Sequence, residues 1–194
     1  MTWVTNAPPI DVGSASTNAA LADALGQKYA YRCNTSNSND APFTAVRGYK
    51  LVKNNSGTTL NPGAAVVEQR TSGVPNGSVT TTTTANDPTF VGIVPYEFVG
   101  ATVADQAYFL VQIAGPGRPQ LALTTTLNTL SACLGTATTA GYMQPLVGTA
   151  SGTAAATLND VMAYIAANGG VPTNTAAVTS AGVVGFADLG IRRL

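Results

Sequence analysis

Histidine is absent from this sequence, and the residues that usually carry catalysis are few. Without histidine, the chain lacks the commonest general base and metal ligand. Cys33 and Cys133 have no histidine to activate them, and the nine carboxylates are isolated from one another along the sequence. Two distant carboxylates could still meet in a glycosidase site, but nothing in the sequence favours such a pair. We therefore expect no catalytic site, no metal and no cofactor, in a protein that is not an enzyme.

Charged residues are also scarce. They make up 9% of the chain, against about 25% in an ordinary soluble domain. Lysine plus arginine balance aspartate plus glutamate, so the formal net charge is zero. Such a surface has little charge repulsion to keep copies apart, which suits a component of an assembly. The basic residues are scattered along the sequence, with only Arg192 and Arg193 adjacent, so we expect no nucleic-acid partner.

Long apolar runs and targeting segments are missing as well. No stretch approaches the roughly 20 apolar residues of a membrane-spanning helix, so we expect no membrane partner. Residues 1–6 contain neither a basic region nor an apolar run. They therefore predict no signal peptide. In a chain without an export signal, Cys33 and Cys133 are expected to be buried reduced thiols, with a disulfide as the alternative.

Short β-strand patterns separated by turn residues fill most of the sequence. Residues 49–54 show the period-two alternation of a strand, and the Asn-Ser-Gly triplet at 55–57 breaks it. The Asn-Pro-Gly triplet at 61–63 predicts a second turn, because proline presets φ and glycine is free to adopt a positive φ. Residues 64–69 then resume as a strand. The Gly- and Pro-rich residues 115–119 predict a plain turn rather than a phosphate-binding loop.

An Asn-Gly dipeptide at 76–77 predicts a hairpin between strands at 66–70 and 78–84, because this dipeptide readily forms tight hairpin turns. Glycines also lie inside two apolar strand patterns, at Gly92 and Gly185. They indicate close backbone approach or strong sheet curvature. The remaining strand candidates are residues 27–33, 90–94, 108–113, 141–147 and 181–187.

Two segments show helix signals. Residues 17–25 predict a short helix that is capped by Ser16 or Thr17 and stopped by Gly26. Residues 158–167 fit either one face of a helix or a buried strand, and the Asn and Gly residues at their ends favour the helix.

Together these patterns predict a mainly β fold, a compact β-barrel or β-sandwich with an extended N-terminal arm and one or two short helices. We assign residues 1–26 to the arm and its short helix, and residues 27–194 to one β-rich domain. Pro8 and Pro9 prevent helix formation in the arm, which is why it is expected to be extended.

Three apolar residues of the arm, Trp3, Val4 and Ile10, have no packing partner nearby in the sequence. We predict that they contact a neighbouring subunit, so that residues 1–16 serve as a tether. The alternative for Trp3 is that its ring folds back onto the chain's own core, which leaves only part of the arm for a neighbour.

The central strands of the sequence resemble a known family. The residues that carry the resemblance are Tyr49–Asn54 with Ser56-Gly57 and Pro62-Gly63, then Phe90–Val94, then Ala107–Gly115. These segments are similar to small β-rich capsid decoration (cement) proteins of tailed bacteriophages. The resemblance covers residues 46–117, with a weaker match at 140–142 and 181–187.

The resemblance implies a structural virion protein that binds the outer surface of the major capsid protein shell and stabilises it. Members of that family often form trimers, so we expect a homotrimer whose further partner is the major capsid protein. Such a protein is made in the host cytoplasm and resides on the outer capsid surface of the virion.

A head-fibre or tail module that binds a receptor or a carbohydrate is the alternative function. A module of this kind needs exposed aromatic platforms or a carboxylate cluster. Four tyrosines could form such a platform, but for all of them the favoured interpretation is a place in the core or in an interface. These candidates are Tyr29, Tyr31, Tyr96 and Tyr142.

Overall fold

A computed structural model describes residues 8–33, 45–96, 98, 101–122, 133–145, 163–164, 183–184 and 187–189. Over these residues the chain is mainly β, with a closed five-stranded β-barrel and few helices, as the sequence predicts. The strands are β1 (Ala15–Ser16), β2 (Lys28–Cys33), β3 (Ala45–Asn54), β4 (Ala65–Thr71), β5 (Val74–Thr80), β6 (Phe90–Ile93), β7 (Tyr108–Gly117), β8 (Gln120–Leu121), β9 (Cys133–Thr136), β10 (Met143–Pro145), β11 (Ala163–Tyr164), β12 (Val183–Val184) and β13 (Ala187–Leu189).

The barrel closes through β3, β5, β4, β6 and β7, with β7 pairing back onto β3. Neighbours in this ring run antiparallel except β3 and β5, which pair in parallel at Lys53–Ser78 and Asn54–Val79. A closed ring satisfies the backbone groups that an open sheet would leave at its edges. Of the two β architectures that the sequence allowed, the described strands form the barrel.

Strand β7 belongs to two parts of the fold. It pairs with β3 in the barrel, and its last three residues, Gly115–Gly117, pair with β13. Beyond β13 the sheet continues in the order β11, β9, β10, β8 and β12. The predicted turn at 115–119 is therefore wrong over its first three residues, which belong to β7 and have antiparallel partners in β13.

Apolar side chains fill the barrel. The period-two alternation of β7 directs Phe109, Val111 and Ile113 into the barrel and Tyr108 and Leu110 out of it. Burying each large side chain contributes about 1.5–3 kcal/mol relative to leaving it exposed. The buried cluster in the barrel is Val52, Leu60, Ala64, Val66, Val79, Val91, Val94, Phe98, Val103, Ala107, Phe109, Val111 and Ile113.

The Asn-Pro-Gly turn forms where the sequence predicts it. The amide of Ala64 donates to the carbonyl of Asn61 at 3.0 Å, and Gly63 has a φ of 79°. Proline followed by a positive-φ glycine is the pattern of a type II turn. The turn carries the chain towards β4, so both the turn and the strand after it are confirmed.

The β4–β5 hairpin turns at a different place from the predicted one. Thr71 pairs with Val74, which leaves a two-residue turn at Ser72 and Gly73. Both turn residues have positive φ, 51° and 79°, as a type I′ turn requires. The Asn-Gly dipeptide at 76–77 lies inside β5, and β5 ends at Thr80, so the predicted strand over 78–84 is too long.

The Asn-Gly dipeptide forms a bulge instead of the hairpin turn. The register of β4 against β5 shifts between Glu68 and Arg70. Within this irregularity Gly77 has a φ of 78°, and the amide of Ser78 donates to Oδ1 of Asn76 at 2.9 Å. The same local preference for positive φ therefore serves a bulge here.

The short N-terminal helix is present as a 3₁₀ helix over Ala19–Ala24. Asn18, rather than Ser16 or Thr17, caps it, because Oδ1 of Asn18 accepts the amide of Ala20 at 3.1 Å. The chain leaves the helix through Gly26, whose φ is 83°. The helix position is confirmed and the predicted cap is wrong.

The second helix is not supported where it can be checked. Ala163 and Tyr164 form β11, which pairs with β9 and with β13, so the favoured helix is wrong at these two residues. The rest of 158–167 lies outside the described residues, as does Gly185. The side chains of Cys33 and Cys133 are not described either, so the reduced state of the thiols stays a prediction.

Candidate interaction surface

The described part of the N-terminal arm lies against the barrel of its own chain. We call residues 8–26 the strap. Its β1 residues pair antiparallel with β7, Ala15 opposite Phe109 and Ser16 opposite Tyr108. Near its other end the amide of Gly26 donates to the carbonyl of Leu51 at 2.8 Å. The strap is therefore tied to the barrel at two points.

Between these two points the strap covers an apolar area on the outside of β2, β3 and β7. We call this area the outer face. Ile10 and Leu21 of the strap bury their side chains against it and are 9% and 8% exposed. Val12, Ala24 and Leu25 pack partly on the same area. The outer face consists of Tyr29, Tyr49, Leu51, Tyr108 and Leu110.

This packing corrects the expectation for one of the three predicted contact residues. Ile10 is buried in its own chain, so little of its side chain is left for a neighbouring subunit. Trp3 and Val4 lie outside the described residues, and their contact with a neighbour stays a prediction. The sequence did not reveal the packing of Ile10, because other members of its buried cluster, such as Tyr49 and Leu110, are far away along the chain.

Basic residues that are scattered in the sequence come together in the β2–β3 pair. These two strands contain five of the nine lysines and arginines and no carboxylate. The strap contains two carboxylates, Asp11 and Asp23, and no basic residue. Strand alternation divides these five positions between the two faces of the pair, because Lys28, Arg32 and Lys50 alternate with Tyr29, Tyr49 and Leu51 of the outer face. The five basic residues are Lys28, Arg32, Arg47, Lys50 and Lys53.

Several of these basic groups already have partners in the described structure. Nζ of Lys50 lies 3.3 Å from Oε1 of Glu68, and each of these side chains is 15% exposed. Glu68 also lies 3.6 Å from Nη2 of Arg70. The ammonium of Lys53 lies 5.8 Å from the ring centroid of Tyr108, a cation–π contact at the margin of the outer face.

A buried amide organises the loops where β3 leaves the barrel. Asn54 is fully buried, and its Nδ2 lies within hydrogen-bond distance of three carbonyl oxygens, those of Thr58 at 2.9 Å, Ala104 at 3.0 Å and Val103 at 3.2 Å. Its Oδ1 accepts the amide of Ser56 at 3.1 Å and its hydroxyl at 2.8 Å. One side chain thereby joins the loop after β3 to the loop before β7.

A second polar network joins the loop before β6 to β9. The carboxylate of Asp87 accepts hydrogen bonds from the hydroxyls of Thr82, at 2.8 Å, and Thr89, at 2.6 Å. The amide of Asp87 donates to the hydroxyl of Thr136 in β9 at 2.7 Å, and that hydroxyl donates to the carbonyl of Thr84 at 2.8 Å. Asp87 acts here as a turn residue, because Oδ1 of Asp87 also accepts the amide of Thr89 at 2.9 Å.

The tyrosines that a ligand platform would use have other contacts. Tyr29 is 3% exposed, and its hydroxyl donates to Oε1 of Gln27 at 2.9 Å. Burial raises the pKa of Tyr29 above its ordinary value. The guanidinium of Arg118 lies 4.4 Å from the ring centroid of Tyr96 and covers one ring face. Tyr142 is half-buried, and the side chain of Tyr31 is outside the description.

Within the described ranges, no group of three or more Cys, Asp or Glu residues is placed to hold a metal ion. The helix described here is too short to span a bilayer, and no other described segment is a helix long and apolar enough to do so. Comparison of the sequence with known proteins finds neither a matching family model nor a matching curated protein.

Proposed function

We propose that this protein is a structural virion component, a decoration protein that binds the outer surface of a tailed-bacteriophage capsid and stabilises the shell. It acts through surface contacts with the major capsid protein and without catalysis, cofactor, nucleic acid or membrane. The proposal includes assembly as a homotrimer. Its basis is the resemblance of residues 46–117 to decoration proteins, together with the fold.

The observation that carries the proposal is the filled β-barrel. Its interior cluster is buried throughout, with the most accessible member, Val91, 7% exposed. A barrel packed in this way is a rigid body that presents its outside, and rigidity reduces the entropy lost on docking. The low charge of the chain further favours close approach of many copies on one shell.

Small contacts suffice for such a function when they are repeated. Each large apolar side chain buried against a neighbour contributes about 1.5–3 kcal/mol, less the entropy of ordering the segment that carries it. When subunits are linked in a trimer, the individual contacts reinforce one another through avidity. We propose that Trp3 and Val4 provide contacts of this kind.

The experiment adds purified protein to undecorated capsids of the source particle, then measures bound copies and survival of the particles on heating. We expect hundreds of copies per particle and a higher disruption temperature. Analytical ultracentrifugation of the free protein tests the homotrimer. A few dozen copies or fewer would assign the protein to a fibre or tail, and absence of binding to the shell would reject the decoration function.

A further inference from the structure

We propose that Asn76 is a site of spontaneous covalent modification, where the folded chain converts its own side-chain amide into a carboxylate through a cyclic imide. The reaction uses water and needs no enzyme or cofactor. It is a property of the purified protein and does not rest on the proposed function. The product is an aspartate or an isoaspartate at position 76, in the bulge of the β4–β5 hairpin.

The two atoms that must react are held in one hydrogen-bonded ring. Oδ1 of Asn76 accepts the amide of Ser78 at 2.9 Å, which closes an Asx turn. This ring contains Cγ of Asn76 and the backbone nitrogen of Gly77, and a bond between these two atoms forms the cyclic imide. The native turn therefore preorganises the attack, and the amide of Ser78 stabilises the side-chain oxygen as it becomes negative.

The nitrogen that leaves also has a defined partner, because Nδ2 of Asn76 donates to Oγ1 of Thr71 at 3.2 Å. The Gly77 nitrogen gives its proton to a hydroxide ion and bonds to Cγ of Asn76. The bond from Cγ to Nδ2 then breaks, and Nδ2 takes up a proton from water and leaves as ammonia, which regenerates the hydroxide. The hydroxyl of Thr71 is placed to relay that proton. A further water molecule then adds to either carbonyl of the imide and opens the ring.

The glycine that leaves room for this attack is required by the fold. Gly77 has a φ of 78°, and a Cβ at this position would lie 2.9 Å from Cβ of Leu25. Both the backbone conformation and the packing therefore disfavour a side chain here. Without one, the Gly77 nitrogen is open to the approach of the Asn76 side chain. Asn76 is itself exposed, so water and hydroxide reach it.

Two other asparagines form the same turn but lack a further requirement. Oδ1 of Asn18 and Oδ1 of Asn54 each accept the amide two residues ahead, both at 3.1 Å. Asn18 is followed by an alanine, whose Cβ hinders its nitrogen. Asn54 is fully buried, and its Nδ2 lies near three carbonyl oxygens. Among the asparagines that the structure describes, only Asn76 combines the turn, exposure and a following glycine.

The modification changes both the charge and the backbone of the hairpin. One added carboxylate makes the formally neutral chain negative. In the isoaspartate form the backbone passes through the side-chain carbon, so β5 becomes longer by one atom within the bulge. We expect this form to disturb the packing of Gly77 against Leu25 and to lower the melting temperature.

The main test compares the native protein with a synthetic peptide of residues 70–82, which contains the same dipeptide without the fold. Both are incubated in the same mildly alkaline buffer, and mass spectrometry of the digested samples follows each asparagine. We expect Asn76 to react several-fold faster in the native protein than in the peptide, while native Asn18 and Asn54 stay intact. A slower reaction in the native protein, or an equal one, would overturn the proposal, because the turn would then not promote the attack.

Thr71→Val tests the proton relay, because it removes the hydroxyl and keeps a β-branched side chain in the strand. Thr83→Val is the matched control, since Thr83 is also exposed but lies beyond the end of β5. We expect the native reaction at Asn76 to slow several-fold in Thr71→Val and to keep the wild-type rate in Thr83→Val. Equal rates in the two variants would overturn the assignment of the relay to Thr71.

Discussion

Gly92 in β6 lies directly against the backbone of Gln112 in β7. A Cβ built at Gly92 would collide with the carbonyl oxygen of Gln112 and would stand 2.9 Å from its carbonyl carbon. The next residue, Ile93, pairs with Gln112 in the ladder between these strands, and the register of β4 against β6 shifts at Val66 and Val67. The glycine therefore permits the close approach of β6 and β7 that closes this side of the barrel.

Gly92→Ala should lower the free energy of unfolding by about 1–3 kcal/mol or prevent soluble folding, because the Cβ collides with backbone that cannot rotate away. Gly57→Ala separates this effect from ordinary glycine strain: its φ is positive but its surroundings are open, and a loss of about 1–2 kcal/mol is expected. Urea unfolding of both variants gives the comparison. A Gly92→Ala protein as stable as the wild type would show that the strands can separate without loss.

Asn54→Leu should lower the free energy of unfolding by about 2–4 kcal/mol, because several buried backbone groups lose their hydrogen bonds at once. Asn55→Ala is the matched control at the neighbouring, exposed asparagine, whose side chain bonds to Gln69 and Gln106. We expect it to cost less than about 1 kcal/mol. Thermal and urea unfolding measure both, and equal losses would contradict the role of Asn54 as the junction of the two loops.

Ser72→Asn should raise the free energy of unfolding by about 0.5–1 kcal/mol, because asparagine tolerates the positive φ of the first hairpin residue better than serine does. Asn76→Ser, in the bulge, should change the stability by less than about 0.5 kcal/mol. Together the two variants locate the turn in solution. A large loss from Asn76→Ser with no gain from Ser72→Asn would place the hairpin turn at 76–77.

Tyr29 should make the free energy of unfolding fall as the pH rises in the alkaline range. Burial raises its pKa in the folded state, so the unfolded chain loses the phenolic proton first. The contribution is fully present below the ordinary tyrosine pKa of about 10 and is lost as the pH rises towards the raised value. Tyr29→Phe should reduce this loss, because phenylalanine has no phenolic proton to lose. Unfolding free energies measured across this pH range would test it, and identical slopes in wild type and Tyr29→Phe would exclude the effect.

Substitutions at Ile10 and at Trp3 should change different properties of the protein. Ile10→Ala should lower the free energy of unfolding by about 2–4 kcal/mol, because it removes a buried side chain from the packing between the strap and the outer face. Trp3→Ala should weaken retention on capsids, in accordance with the proposed function. Calorimetry and capsid binding, each applied to both variants, separate the roles. Loss of capsid binding in Ile10→Ala alone, with unchanged stability, would reverse the assignment.

Local residue chemistry determined much of the fold. Strand alternation at 49–54 and the Asn-Pro-Gly turn at 61–63 depend on side-chain spacing and on the φ preferences of proline and glycine, which act within a few residues. The position of the short helix could be predicted for the same reason. The glycine in β6 could be identified as a point of close approach, although its partner Gln112 could not.

Only the tertiary structure decided which of several locally allowed forms is used. The Ser-Gly and Asn-Gly dipeptides both permit positive φ. The pairing of β4 with β5 determines that residues 72–73 form the hairpin turn and residues 76–77 form the bulge. The parallel contact of β3 with β5 and the burial of Ile10 both join residues distant in sequence. Such contacts depend on the summed burial of many side chains and on closure of the whole ring, and no short segment encodes either.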